Sequence, residues 1–318
     1  MKKVNLLSLQ AAKVMMIIGL AGLVSACKDD DEEIIPTPNT ITDIVLTNND
    51  FTILRAAVQH AGLGDALRTG SLTVFAPTDQ AFIASGFANA AAITALPAAT
   101  VKSVLEYHVL ASRVPSSGIN DGSNQEVTTL QGSRAFVTKN ASGVSINGAR
   151  VVTADVNADN GVIHVIDHVI MPPSQNLLEI AQGNSDFSLL VAAATRAAAG
   201  NPVVLEALTS DAGAFTVFAP TNQAFIDAGF ANEAAFNAVE PAALATIILY
   251  HVVPGRVFST NLAAGDVATA NGDSVAVNLT NGVNITGNGN GGTASSVTSA
   301  NMLATNGVVH VIDRVLLP

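Results

Sequence analysis

Thr73–Phe82 reads TVFAPTDQAF, and Thr216–Phe225 reads TVFAPTNQAF; nine of ten positions agree, and only Asp79 and Asn222 differ. The run Thr73-Val74-Phe75 is strand-like and Pro77 ends it. Thr78 then stands where a helix N-cap belongs, its hydroxyl able to accept from one of the first unpaired helix N–H groups. Each copy therefore predicts a strand–turn–helix corner, and the two corners lie 143 residues apart.

The repetition extends outward from this corner. Asp50-Phe51-Thr52-Ile53-Leu54 returns as Asp186-Phe187-Ser188-Leu189-Leu190 at an offset of 136, and Tyr107-His108 returns as Tyr250-His251 at 143. Asn160–Asp167, NGVIHVID, returns as Asn306–Asp313, NGVVHVID, at 146. The offset grows twice, so the second copy gains seven residues early and three late. The early gain falls within residues 195–214, where Gly200, Asn201 and Pro202 predict a loop. The late one falls near the Asn/Gly-rich stretch Asn281–Gly292. Two copies of roughly 130–145 residues are two domains, not a solenoid of short repeats.

Within each copy, helical signals precede strand signals. Asp50 is expected to cap a helix whose apolar positions are Phe51, Leu54, Ala57 and Val58. Pro97 suits the first turn of another helix. That helix's apolar face, Val101, Val104 and Leu105, reaches His108 one turn later, as Leu244, Ile247 and Ile248 reach His251. Residues 134–139, 144–146 and 149–153 read as strands, and Asn147-Gly148 between the last two is a strong hairpin signal. Val162–Ile166, nearly all apolar, predicts a strand buried on both faces. This order favours an α+β fold over a wound parallel sheet.

The beginning of the chain reads as a targeting segment. Lys2, Lys3 and Lys13 form a positive region, and Val14–Val24 is an apolar run of eleven, too short for the ~20 residues of a membrane span. Val24-Ser25-Ala26-Cys27 resembles a lipobox, which makes residues 1–26 a lipoprotein signal peptide and Cys27 the lipidated residue. Cys27 is the only cysteine, so no disulfide forms within the chain. Residues 27–38, with the run Lys28–Glu33 before Pro36 and Pro38, read as an acidic tether. The run also resembles the lysine/aspartate-rich export tag of surface lipoproteins in Bacteroidetes-type bacteria, which implies outward display from the outer membrane. Without the three early lysines the balance is 11 basic to 25 acidic residues. So acidic a surface repels phosphate backbones and argues against a nucleic-acid partner.

The chemistry-bearing side chains do not assemble into a catalytic pattern. The one change within the repeated corner swaps an acid for an amide, which a required catalytic carboxylate does not allow. His164 and Asp167 are three apart on a strand and point to opposite faces. No H-E-x-x-H, G-x-S-x-G or phosphate-cradling glycine motif occurs, and Cys27 is the sole cysteine. No enzyme, cofactor or metal site is therefore expected, and His108 is expected to be a buried, hydrogen-bonded neutral imidazole. The chain has no tryptophan, and eight of its twelve phenylalanines fall at matched positions, as Phe51/Phe187, Phe75/Phe218, Phe82/Phe225 and Phe87/Phe230. Shared aromatics predict a shared core, which leaves the polar stretches Ser116–Gln125 and Asn281–Gly292 as the roomiest loops for binding.

The TVFAPT-x-x-AF motif, the Tyr-His pair and the NGV-x-HVID motif, in this order and twice over, resemble the fasciclin domain. The resemblance covers residues 39–172 and 174–318. It implies two tandem α+β domains, each a twisted β-sandwich or wedge packed against several helices, working in non-enzymatic adhesion to protein or polysaccharide ligands. In animal members the Tyr-His segment and an Asp-Ile dipeptide have been linked to receptor binding. By that resemblance the candidate binding residues are Tyr107, His108, Asp155, Val156, Tyr250 and His251; in the second copy the dipeptide falls on Asn301-Met302, without the acid. The expected protein is a lipid-anchored outer-membrane adhesin. An oligosaccharide-binding accessory of an outer-membrane uptake system and a structural envelope protein are the alternatives.

Overall fold

The computed structural model describes residues 39–318; the signal segment, Cys27 and the acidic tether lie outside the described residues. In the first domain α1 (Ile41–Thr47), α2 (Thr52–His60), β1 (Leu72–Pro77), α3 (Asp79–Ala84), α4 (Ala90–Thr94) and α5 (Ala98–Tyr107) come first. Then follow β2 (Val109–Leu110), β3 (Gly122–Thr128), β4 (Arg134–Asn140), β5 (Gly143–Ile146), β6 (Ala149–Ala158) and β7 (Gly161–Ile166). The second domain repeats the plan with α6 (Leu177–Gly183), α7 (Ser188–Ala198), α8 (Val203–Thr209), β8 (Phe215–Pro220), α9 (Asn222–Asp227) and α10 (Pro241–Tyr250). Its strands are β9 (Val252–Pro254), β10 (Gly265–Ala268), β11 (Ser274–Asn278), β12 (Asn284–Thr286), β13 (Ser295–Ala304) and β14 (Gly307–Ile312).

The repeated corner forms as its residues dictate. All six residues of β1 are buried, and the Thr78 hydroxyl accepts from the Ala81 N–H at 3.1 Å to start α3. Thr221 does the same for α9, accepting from Ala224 at 3.3 Å. Three local expectations change. Asp50 caps nothing: Asn48 accepts its N–H at 2.8 Å over a 3₁₀ turn, Asn49–Phe51, and α2 begins only at Thr52. Pro97 sits just before α5 in extended conformation, whereas Pro241 does occupy the first turn of α10. The residues gained early in the second copy fold into α8, because Val204, Ala207 and Leu208 share one face and bury it; Gly200–Pro202 form only the turn before it.

Each domain holds a seven-stranded sheet, ordered β2-β1-β7-β6-β5-β4-β3 in the first and β10-β11-β12-β13-β14-β8-β9 in the second. β1 and β7 run parallel, as do β14 and β8, while β6 and β7 pair antiparallel. Alternation along β1 divides the core. Leu72, Val74 and Ala76 join Leu54, Val58 and Leu105 of the helices in one cluster. Phe75 points the other way, to Tyr107, Val137, Ile146 and Ile166. The sheet therefore bends back over itself, helped by register shifts in β6 between Val151, Thr153 and Val156; such bulges bend a strand. The result is the wedge packed on helices that the family resemblance implied, with β7 buried along almost its whole length.

The closing motif has a steric reason. A Cβ on Gly161 would lie 2.1 Å from the Leu72 carbonyl oxygen, and one on Gly307 2.1 Å from that of Phe215. Only glycine lets β7 and β1, or β14 and β8, approach this closely. The preceding asparagine ties the domain's first helix to this point: Asn160 Oδ1 accepts from Ile41 N–H at 2.9 Å, and Asn306 Oδ1 from Leu177 N–H at 2.9 Å.

Candidate functional site

The Tyr-His pairs end α5 and α10, where the apolar stripe carries them inward. Tyr107 and Tyr250 are wholly buried, and His108 and His251 are 2% and 1% exposed. The Tyr107 hydroxyl donates to Arg134 O at 2.8 Å and accepts from Asn147 Nδ2 at 2.8 Å, and burial pushes its pKa up to about 12. Tyr250 donates to Ser274 O at 2.6 Å and accepts from Asn288 N–H at 3.1 Å. His108 Nε2 accepts from Ile170 N–H at 3.1 Å, so its proton sits on Nδ1, which donates to Val104 O at 2.7 Å. His251 repeats this between Leu316 N–H and Ile247 O, at 2.8 Å each. Burial pulls both histidines down to about 4, which keeps them neutral. These four residues leave almost no surface for a ligand to touch.

Asp155 and Val156 lie elsewhere, at the β6 bulge. Asp155 adopts a left-handed backbone, φ 59°, and its carboxylate accepts from the N–H of Ser116 at 2.8 Å and from the Ser116 hydroxyl. Those bonds hold its carboxyl below the usual range. Its own N–H donates to Nδ1 of buried His164 at 3.3 Å, and His164 Nε2 donates to Val114 O at 2.9 Å. Val156 packs half-buried on the helix-side core. So Asp155 meets His164, not His108, and it pins the segment that begins at Ser116. In the second domain Asn301, φ 65°, takes the same place, accepting from Ser259 N–H at 2.7 Å and donating to Ser259 Oγ at 2.8 Å. Its N–H donates to His310, which burial holds near 4.

The polar loops are not free either. Asn290 accepts from Leu317 N–H and donates to Val315 O, both at 2.9 Å, so the Asn281–Gly292 stretch is fastened to the segment after β14. Asn124, from the Ser116–Gln125 stretch, crosses to the second domain. There it donates to Arg256 O and accepts from Asn261 Nδ2 at 3.0 Å.

Asn124 is part of a junction that the repeat pattern did not announce. Phe136 and Phe258 lie 6.2 Å apart between ring centroids, and both pack with Val308 in a cluster drawn from the two domains. The guanidinium of Arg256 lies 4.2 Å over the Phe136 ring, a partly desolvated cation–π contact. Around this centre Asn261 donates to Thr138 Oγ1 at 3.1 Å, Ser145 Oγ meets Thr260 Oγ1 at 3.0 Å, and Asn301 Nδ2 donates to Gly148 O at 3.4 Å. A sequence signal existed: Phe136 and Phe258 are among the four phenylalanines with no counterpart in the other copy. Among the described residues no group of three or more His, Cys, Asp or Glu side chains could hold a metal, and no helix is long and apolar enough to cross a membrane.

Residues 49–172 and 185–318 each match the family described as Fasciclin domain. Protein sll1483 of Synechocystis sp. is 36% identical over 157 residues, which cover 48% of this chain and 79% of that protein. Transforming growth factor-beta-induced protein ig-h3 of Sus scrofa is 35% identical over 160 residues, 50% of this chain but only 23% of that protein's length. Among solved structures, the FAS1 domain pair of the insect cell adhesion molecule fasciclin I aligns over 84% of this chain and 96% of its own, at 20% identity and a TM-score of 0.41.

Proposed function

The chain belongs to the fasciclin domain family, and from that premise we propose that it is a lipid-anchored adhesion protein facing outward from an outer membrane. The family is non-catalytic, and its members generally serve in adhesion or binding. One observation carries the reading. Every tyrosine and histidine that recurs between the copies has its polar atoms bonded to groups of its own domain. What the duplication repeats is a core whose tyrosines and histidines are already engaged, which leaves binding to the exposed faces of the domains. Lipidation at Cys27, followed by an acidic tether, supplies the anchor. The ligand is an extracellular protein or polysaccharide, met by the exposed faces of the two domains rather than by the buried Tyr-His pairs.

Cells that make the chain should attach to matrix-coated surfaces more than cells that lack it; equal attachment overturns the adhesion reading. The anchor has a separate check. Cys27→Ser should move the protein from the membrane fraction to the soluble one, and a variant that still sediments with membranes removes the lipid from the proposal.

A further inference from the structure

A polar cleft of about 330 Å³ opens beside the domain junction, and neither domain supplies its walls alone. The first domain contributes Asn140, Ser142, Ser145 and Arg150; the second contributes Ser259, Thr260, Leu262 and Leu279 among others. The volume is at the small end of the ~300–1,000 Å³ typical of ligand clefts. The character of the lining is unusual for this molecule. No aspartate or glutamate lines the cleft, although the chain carries 25 acidic residues to 14 basic ones. Arg150 is exposed, and its backbone N–H is held by Asp167 at 2.8 Å. Among the described residues its guanidinium makes no hydrogen bond and no ion pair.

An unengaged guanidinium is a fork shaped for a carboxylate, which it holds through two parallel bonds. The same cleft is lined by Ser142, whose hydroxyl makes no hydrogen bond among the described residues, and by Ser259 and Thr260, whose hydroxyls bond to Asn301 and Asn261 and keep a lone pair for a ring hydroxyl. Leu279, 39% exposed, offers apolar surface to the C–H face of a sugar ring. We propose that this cleft binds a carboxylated sugar unit of an acidic polysaccharide, with the carboxylate on Arg150. The proposal rests on the adhesion reading above and names a ligand class and site for it. A sugar seated there touches both domains, next to the Ser145–Thr260 contact and the bond from Asn140 Nδ2 to Thr260 O at 3.3 Å.

The test is calorimetric titration of the purified chain with trigalacturonate and, as the neutral counterpart, maltotriose. Trigalacturonate should bind and maltotriose should bind at least ~10-fold more weakly, in line with the strength of a charged hydrogen bond. Arg150→Gln should weaken trigalacturonate ~10-fold. Because the guanidinium serves no other group, the variant should keep its melting temperature. No binding of trigalacturonate, equal binding of both trisaccharides, or an unchanged affinity in Arg150→Gln each overturns the site. If the site falls while cells still attach to coated surfaces, the adhesion reading stands without it. If attachment is lost as well, both fall.

Discussion

Asp79 Oδ1 accepts the N–H of Ile53 at 2.8 Å, and Asn222 Oδ1 accepts that of Leu189 at 2.9 Å. The one variable position of the repeated corner is thus a cap for the start of α2 and α7, delivered from more than twenty residues away in sequence. An amide oxygen serves as well as a carboxylate oxygen, which is why the exchange between copies is tolerated. Asp79→Asn should therefore change stability by less than about 0.5 kcal/mol, and Asp79→Ala should cost about 1 kcal/mol, read by urea denaturation. The buried histidines set a pH dependence. His108, His251 and His310 are held near 4 in the folded chain against an ordinary value of 6.5. Between those values the unfolded chain binds more protons, so acid favours unfolding. Their contribution is complete above pH 6.5 and is lost as pH falls toward 4, about 3 kcal/mol for each histidine. Melting temperatures from pH 7.5 to 4 check this; a flat profile contradicts it.

At the scale of elements, the corner, the hairpin at Asn147-Gly148 and the doubly buried β7 were legible in sequence. Each is written in neighbouring residues: a proline stop, a threonine cap, an Asn-Gly turn, an unbroken apolar run. The start of α2 was not legible at Asp50, because its true cap comes from Asp79 across the domain, and no local pattern reveals that. Helix α8 was hidden for a related reason. The Gly-Asn-Pro turn before it reads as a loop, while its short apolar face gains meaning only against α6, α7 and α10. The glycines of the closing motif show the same limit: the sequence marks them by repetition, but only the parallel pairing supplies the cause. Gly161→Ala drives a methyl into the Leu72 carbonyl, and the strands must separate to admit it. A loss of about 3 kcal/mol or more is expected by chemical denaturation, and a change below ~0.5 kcal/mol would contradict the close approach.

At the scale of the whole molecule, the junction explains the acid missing from the second domain. Asp155 needs only acceptors, for the two donors of Ser116. Asn301 must also donate, to Gly148 O of the other domain at 3.4 Å, and a carboxylate has no proton to give. Asn301→Asp should place an acceptor against an acceptor and weaken the junction by about 1–2 kcal/mol. Scanning calorimetry checks it: one shared transition in the parent chain should broaden or split in the variant. The candidate site divides along the same line. Burial of the Tyr-His pairs followed from the apolar stripes of α5 and α10. The junction could not be derived from a repeat, since repetition reports what the copies share: Phe136 and Phe258 stand where the copies differ, and Arg256, which matches Arg113, lies over Phe136 while Arg113 bonds within its own domain.

That junction also sets the distance between the faces of the two domains. Two modules on a loose linker search for their ligands independently, and the linker's length sets their effective concentration. Here Phe136, Phe258 and Arg256 fix the spacing instead. If each domain carries a binding face, a polymer whose repeat distance matches this spacing would be held at two points for the entropy of one capture, and a polymer of another pitch would gain no such avidity. Domains clamped in this way would meet a periodic ligand as the two jaws of a caliper rather than as two independent hooks.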